Sequence, residues 1–459
     1  MRPIIEIMNK RYQLDMTEGR LLPKILLFSL PLMASSVLQL LFNAADVVVV
    51  GKFAGSEALA AVSSTTSLIN LITQLFIGLS IGVNVVVAKH IGEKDFDKTY
   101  RSVSTSIIIS LVGGVIVTVV GFLFCKTMLQ LMGSPDDVID LSALYLKIYF
   151  LGTIAMMLYN YGSAILRAQG DTQRPLKFLT LSGVLNVILN LIFVIVLKMS
   201  VAGVALATII SQYISAVLIM ICLMKEKYPF GISLKEMTFD AAEFKQILVI
   251  GLPAGIQGTV FALSNVTVQS SINSFGKIVM AGNGAASNLE GFVYVAMNTF
   301  YQSAISFTSQ NLGAKKYERL TPILFTCLGC VLVTGAVLGI GLWYFGDIFL
   351  SIYSSDPEVI SAGIIRLSYI GKIYFLCGTM DVLCGCLRGM GYSLIPMINS
   401  LLGSCAFRLV WLATVFKIYH TQDMVYIVYP LSWIITITLH LILYIYVRKK
   451  MQKNGAVTK

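Results

Sequence analysis

The stretch LRAQGDTQRP, Leu166–Pro175, returns as LRGMGYSLIP, Leu387–Pro396: Leu166, Arg167, Gly170 and Pro175 each meet the same residue type 221 positions later. A basic turn bounded by Gly and Pro is thus written twice. The echo runs further along the chain. SLPLMASSV from Ser29 matches GLPAGIQGT from Gly251, which sets Pro31 and Pro253 222 positions apart. KHIGEKDFD matches QNLGAKKYE, with Gly92 and Gly313 again 221 apart, and Asp137–Val138 meets Glu358–Val359.

What lies between the copies decides the class. Of 459 residues 56% are hydrophobic and 12% charged, with a mean hydropathy of +0.81, against roughly 25% charged in a soluble domain. So much apolar surface cannot be hidden in one water-soluble core, and the chain belongs in a bilayer. The net charge of +11 is not the footprint of a nucleic-acid binder, because the basic residues sit in short gaps between apolar runs. Residues 1–20 mix Arg2, Glu6, Lys10, Arg11, Asp15 and Arg20 with apolar positions. They lack the pattern of a cleavable signal and are expected to form a cytosolic lead-in helix on the membrane surface. Eight cysteines lie almost wholly in apolar runs, as small buried hydrophobes do. Cys327-x-x-Cys330 has neither a second pair nor histidines nearby, so no metal or redox centre is expected.

A membrane helix needs about 20 apolar residues. Twelve segments qualify, at about 25–50, 59–87, 101–124, 139–164, 176–197, 203–224, 245–272, 281–310, 320–345, 359–387, 394–416 and 424–447. None alternates with period two, so the fold is all-helical. Lys and Arg in the connections number 25 on the side of the N-terminus and 5 on the other, which predicts both termini in the cytosol. The quoted turn then joins spans four and five, and its copy joins spans ten and eleven. The fold expected is an all-α polytopic membrane protein of twelve spans in two six-span lobes. Residues 1–224 form the first lobe, 225–243 a cytosolic linker, and 244–459 the second lobe with a basic cytosolic tail. Six is even, so both copies enter the bilayer in one direction, as parallel repeats about an axis along the membrane normal.

Intramembrane ionisable residues mark functional positions, because each is costly unless it faces protein or water. Asp46 lies in LFNAADVVVVG, six residues before Lys52 and so roughly 9 Å inside that outer edge at about 1.5 Å per residue. Either it binds a cation or proton, or it locks helices together through amide and hydroxyl partners. Asn186 and Asn190 of span five share a helix face by their i, i+4 spacing, and Thr208 lies in span six. The second lobe carries Glu290 in span eight, Lys372 and Asp381 in span ten and Arg408 in span eleven. Asp381 neutralised by Lys372 or Arg408 is weighed there against a substrate role. Lys147 and Arg366 lie near outer helix ends, where snorkelling is the default. No Walker loop, G-x-S-x-G, H-E-x-x-H or dinucleotide fingerprint is present, so neither an enzyme nor an ATP-driven pump is expected.

The twelve-span, two-lobe layout, together with LPLMASSVLQLLFNAADVVVVG, GLSIGVNVVVAKHIGEKD, LNVILNLIFVI, TSQNLGAKKYE and the two quoted turns, resembles the multidrug and toxic compound extrusion (MATE) transporters over essentially the whole chain. The resemblance implies export of drugs or organic cations against inward H+ or Na+. In bacterial members of the DinF-like kind, a first-lobe network joins a span-one Asp, a span-four Tyr, an Asn-x-x-x-Asp in span five and a span-six Thr. Asp46, Tyr145, Asn186 and Thr208 match it, whereas Asn190 stands where the pattern has Asp. That substitution weakens a Na+ cage, which wants several anionic or carbonyl oxygens, and leaves H+ the favoured coupling ion with Na+ second. The span-seven Glu of the NorM-like and eukaryotic kinds is missing from GTVFALSNV, while Asp381 resembles the span-ten Asp of NorM-like members.

The expected protein is therefore an inner-membrane efflux antiporter, monomeric and without cofactor. It would take small lipophilic or cationic substrates by alternating access of two lobes. A flippase for a lipid-linked oligosaccharide, the nearest competitor, would need a basic cleft for pyrophosphate. A polytopic membrane enzyme would need clustered acids or histidines at the membrane edge, and here the acids are scattered.

Overall fold

The structure, a computed structural model, describes residues 13–132, 138–233 and 235–453. Every described element is a helix; a segment in hydrocarbon must satisfy its backbone N–H and C=O groups within itself. The spans run Leu21–Val49, Ser56–Glu93, Phe96–Leu131, Ile139–Leu151 with Thr153–Ala168, Gln173–Leu191, and Ser200–Lys225. After the linker come Ala241–Asn273, Lys277–Gly313, Leu320–Tyr344, Pro357–Tyr369 with Phe375–Gly389, a span starting at Leu394, and Val428–Lys453. Among the described residues nine helices are long and apolar enough to cross a bilayer, and spans four and ten are pairs bent by 45° and 43°. Span eight, 37 residues long, completes the twelve by length. Ser287, Asn288 and Tyr294 give it an exposed polar strip, continued by the half-buried Asn298, that lowers its hydropathy.

The repeat is visible in the backbone itself. Gly170 and Gly391 adopt φ of 87° and 88°, and Gly55 and Gly276 adopt 90° and 92°, a region that glycine enters at no steric cost. Lys94 and Lys315 end spans two and eight at φ of 56° and 57°. Each pair is 221 residues apart. The turn LRAQGDTQRP thus recurs because its left-handed glycine closes the same helix end in both halves.

The helices gather into two compact units, and their boundaries are not those of a simple bisection at the linker. The first unit takes residues 13–15 and Ala34–Gly251; the second takes Met16–Met33 and everything from Leu252. Spans one and seven therefore change unit beside the matched prolines Pro31 and Pro253. In the second unit Ser29 meets Ser303 at 2.7 Å and Phe28 sets its ring edge-on to Phe307 at 5.7 Å. Asn311 donates to the Met16 carbonyl at 3.0 Å. In the first unit Gly82 against Gly251 is the repeat equivalent of Ser303 against Ser29, and His90, the counterpart of Asn311, meets Glu243. A side-chain carbon on Gly82 would stand 2.2 Å from the Ile247 carbonyl oxygen, and His90 Nε2 lies 2.9 Å from the Glu243 carboxylate.

The end of the linker is fastened as well. Thr238 N–H donates to Ser104 Oγ at 2.7 Å and Asp240 N–H to Thr105 Oγ1 at 2.9 Å. The amides of Glu243 and Ala242 bond the Asp240 carboxylate and hold it below its usual range. The greater part of the expected lead-in helix, residues 1–12, and the last tail residues, 454–459, lie outside the described residues.

Candidate functional site

In the first unit, Asp46 sits on span one four residues before a π-helical turn at Val50–Ala54, and Asn190 sits on span five two residues before another at Ile192–Val196. Such wide turns concentrate at functional positions. Asn190 Nδ2 donates to Asp46 Oδ1 and lies 3.4 Å from Asn186 Oδ1, so the i, i+4 pair does form one polar face. Thr208 adjoins the same carboxylate, and its hydroxyl donates to the Val204 carbonyl at 2.9 Å. Tyr145 is buried, stacks on Tyr149 at 6.3 Å and shares an apolar cluster with Val49, Val50, Val194 and Val201. Asp46 is half-buried, and among the described residues no base forms an ion pair with it. Asn190 Oδ1 is buried without a hydrogen-bond partner. An anionic oxygen and a vacant carbonyl-type oxygen thus stand side by side, an arrangement able to receive a proton donor or a small cation.

The second unit arranges its charges differently from the sequence reading. Among the described residues no ion pair joins Glu290, Lys372, Asp381 and Arg408 to one another, although Glu290, Asp381 and Arg408 all neighbour Cys377. Glu290 pairs in bidentate fashion with Arg366, Nη2 to Oε2 at 2.6 Å and Nε to Oε1 at 3.1 Å. Arg366 therefore does not snorkel: it is 6% exposed, donates also to Asn283 at 2.7 Å, and lies over Tyr426 and Tyr429. Asp381 is paired neither with Lys372 nor with Arg408. Its neighbours are Tyr294 and Arg388, because the first half of the bent span ten carries Lys372 away, to a seat 3.8 Å over the Trp343 ring. Arg388, counted from the sequence among loop charges, is buried and donates to Tyr301 Oη and Gln257 Oε1. Arg408 donates to Ser432 and Asn265. Arg366, Arg388, Tyr294 and Asn283 are thus additional members of the polar network. For the arginines and Asn283 the signal in sequence was a basic or amide residue inside or at the end of an apolar run, which spacing alone does not pair; Tyr294 carried no such signal.

A family model named MatE matches residues 31–192 and again 253–411, starting each time at one of the two matched prolines. The chain belongs to the MatE family. Its members are transporters. Among curated relatives, the chain is 28% identical over 396 residues to the probable multidrug resistance protein YpnP of Bacillus subtilis, covering 86% of this chain and 88% of that one. It is 27% identical over 435 residues to the probable multidrug resistance protein YoeA of the same organism, covering 93% and 94%. Among solved structures, a MATE protein in complex with MaL6 superposes with a TM-score of 0.88 at 22% identity over 95% of this chain and 98% of that one. At that identity the likeness speaks for the fold. This MatE protein is accordingly a polytopic, all-helical membrane protein of the multidrug efflux family.

Proposed function

We propose that this MatE protein is a secondary active exporter in the cytoplasmic membrane, with both termini in the cytosol, and that Asp46 is its ion-coupling group. The observation that carries the reading is the Asp46–Asn190 contact: an intramembrane carboxylate held by an amide, with no ion-pair base among the described residues. A carboxylate paired with a base would be silenced, whereas this one is free to change its charge when a proton or cation arrives. The change would rearrange hydrogen bonding among Asp46, Asn190, Asn186 and Thr208 on spans one, five and six and bias the transporter toward substrate release. Asn190 contributes an amide where a second acid would complete a sodium cage, so H+ is favoured over Na+. The relatives named for multidrug resistance support drugs or lipophilic organic cations as cargo.

The test is export of a fluorescent organic cation from reconstituted vesicles under an imposed pH gradient and, separately, an imposed Na+ gradient. The pH gradient should drive export in the parent. Asp46→Asn, which imitates the protonated group in shape, should abolish gradient-driven export while substrate binding stays measurable. Full pH-driven export by Asp46→Asn would move coupling out of the first unit.

A further inference from the structure

The corner between spans eight and nine carries the opposite charge to its own copy in the first unit. That copy, residues 93–98, holds three acids and two bases; residues 314–319, 221 positions later, hold one acid and three bases. The first corner answers its own charges. Lys98 meets Asp95 at 3.3 Å, Lys89 meets Glu93 at 3.8 Å, and Asp97 accepts from the Tyr228 hydroxyl. In the second corner Lys316 stands at the position of Asp95, and Arg319 at that of Lys98. Lys316 is met by Glu18 at 3.4 Å. Glu318 is exposed and, among the described residues, forms no ion pair.

Arg448, from the end of span twelve, joins Arg319 at this corner. Arg319 Nη2 donates to the Gly19 carbonyl at 3.0 Å, and Arg448 Nη2 donates to the Tyr317 carbonyl at 3.0 Å. Tyr317–Arg319 is a single 3-10 turn, and beside it the hydroxyls of Thr321 and Tyr444 lie 3.5 Å apart. Arg319 Nε and Arg448 Nη1 are buried without a hydrogen-bond partner. Among the described residues no carboxylate forms an ion pair with either arginine. Main-chain carbonyls thus fix two guanidiniums in place and leave both charges unanswered. Arg101 and Arg174 of the first unit differ: Arg101 has Asp240 at 3.4 Å, and Arg174 has Asp171 and Glu226. Bases that only set the orientation of a membrane protein act by their charge and need no fixed geometry.

We propose that Arg319 and Arg448 form a seat for the phosphate headgroup of an anionic phospholipid of the cytosolic leaflet. A guanidinium fork takes phosphate oxygens in pairs, and basic pockets between helix ends on the cytosolic side attract anionic headgroups. Just inside the bilayer from these ends, Phe325 of span nine and Ile445 of span twelve are exposed and give the acyl chains an apolar bed. That bed favours a lipid over a free phosphate. The inference takes from the proposed topology only which leaflet supplies the lipid.

The probes are phosphatidylglycerol and phosphatidylcholine with identical acyl chains, added to the full-length protein in neutral detergent and followed by native mass spectrometry. The parent should bind phosphatidylglycerol at least about tenfold more tightly, the size of one charge-assisted contact. Arg319→Gln with Arg448→Gln should bring the ratio to about one while phosphatidylcholine binding stays within about twofold. Should that double variant not fold, Lys316→Asp decides. It restores the pattern of the first unit, where Asp95 caps the helix and meets Lys98, and should cut the preference at least about threefold. Lys449→Gln with Lys450→Gln, at exposed positions of the same helix end, should keep the parent's preference within about twofold. An equal loss there assigns the preference to diffuse attraction and overturns the seat. Inorganic phosphate equimolar with the lipid should leave it bound; displacement assigns the corner to a soluble anion and overturns the proposal. A parent ratio of one, or a folded arginine variant that keeps the parent's preference, overturns it too. Neither a gradient nor a cargo enters this measurement, so its failure is distinct from a failure of ion-coupled export.

Discussion

Replacing Glu290 by Gln keeps the size of a buried side chain and removes its charge. Glu290 and Arg366 are 3% and 6% exposed, so nothing rehydrates the guanidinium when the carboxylate is gone. Breaking one side of such a pair costs about 3–5 kcal/mol. Arg366 keeps its 2.7 Å bond to Asn283 and its two tyrosine rings, which offset roughly 1 kcal/mol. The net expectation is a loss of about 2–4 kcal/mol, or roughly 4–8 °C in melting temperature at about 2 °C per kcal/mol. A thiol-reactive fluorogenic dye makes the measurement direct, because all eight cysteines are free and seven are buried, to be released on unfolding. The double variant Glu290→Gln with Arg366→Met removes the stranded charge and should regain part of the loss. A Glu290→Gln melt within about 1 °C of the parent, or a double variant worse than the single, refutes the assignment of this pair as structural neutralisation.

Three further outcomes are expected. Asn190→Asp adds a second carboxylate beside Asp46 and should raise the Na+ dependence of export in vesicles; an unchanged ion dependence places the coupling seat elsewhere. Gly82→Val brings a side-chain carbon to 2.2 Å from the Ile247 carbonyl oxygen and should abolish folded yield on size-exclusion chromatography, whereas Gly284→Ala, with open space around it, should raise the melt slightly by its helix propensity. A single cysteine at Lys235, in a chain otherwise free of reactive thiols, should resist impermeant maleimide in intact spheroplasts and react after permeabilisation; labelling from outside reverses the orientation.

The twelve spans were legible because each is a long apolar run, and the parallel repeat because Gly170 and Gly391 hold the same left-handed turn. The Asn186–Asn190 face was legible too, since a helix places residues four apart on one side, whereas its meeting with Asp46 on span one was implied only by the family resemblance. Pairings between distant spans were not. Glu290 and Arg366 are 76 residues apart, and nothing in either apolar run states which base meets which acid. Arg366 looked like a snorkelling side chain because its distance from the helix end was visible while the carboxylate waiting for it was not. Arg388 was hidden for the opposite reason: it sits at the end of an apolar run, where a sequence reader counts it as loop charge, yet Tyr301 and Gln257 bury it. The crossing of spans one and seven was also invisible, because Pro31 and Pro253 mark a repeat without saying which helices receive each half.

That crossing has a consequence for the order in which the protein is made. Met16–Met33 leaves the ribosome long before its partners: the hydroxyl that Ser29 meets belongs to a serine 274 positions later, and the ring facing Phe28 comes later still, at Phe307. No cut at the linker yields two self-sufficient pieces: residues 244–459 alone lack the strip that covers Phe307 and Asn311. Closing contacts so distant in the chain is slow. The early half of span one must wait in the bilayer, without its final neighbours, until span eight has been inserted, so this second unit is completed only after most of the chain has been synthesised.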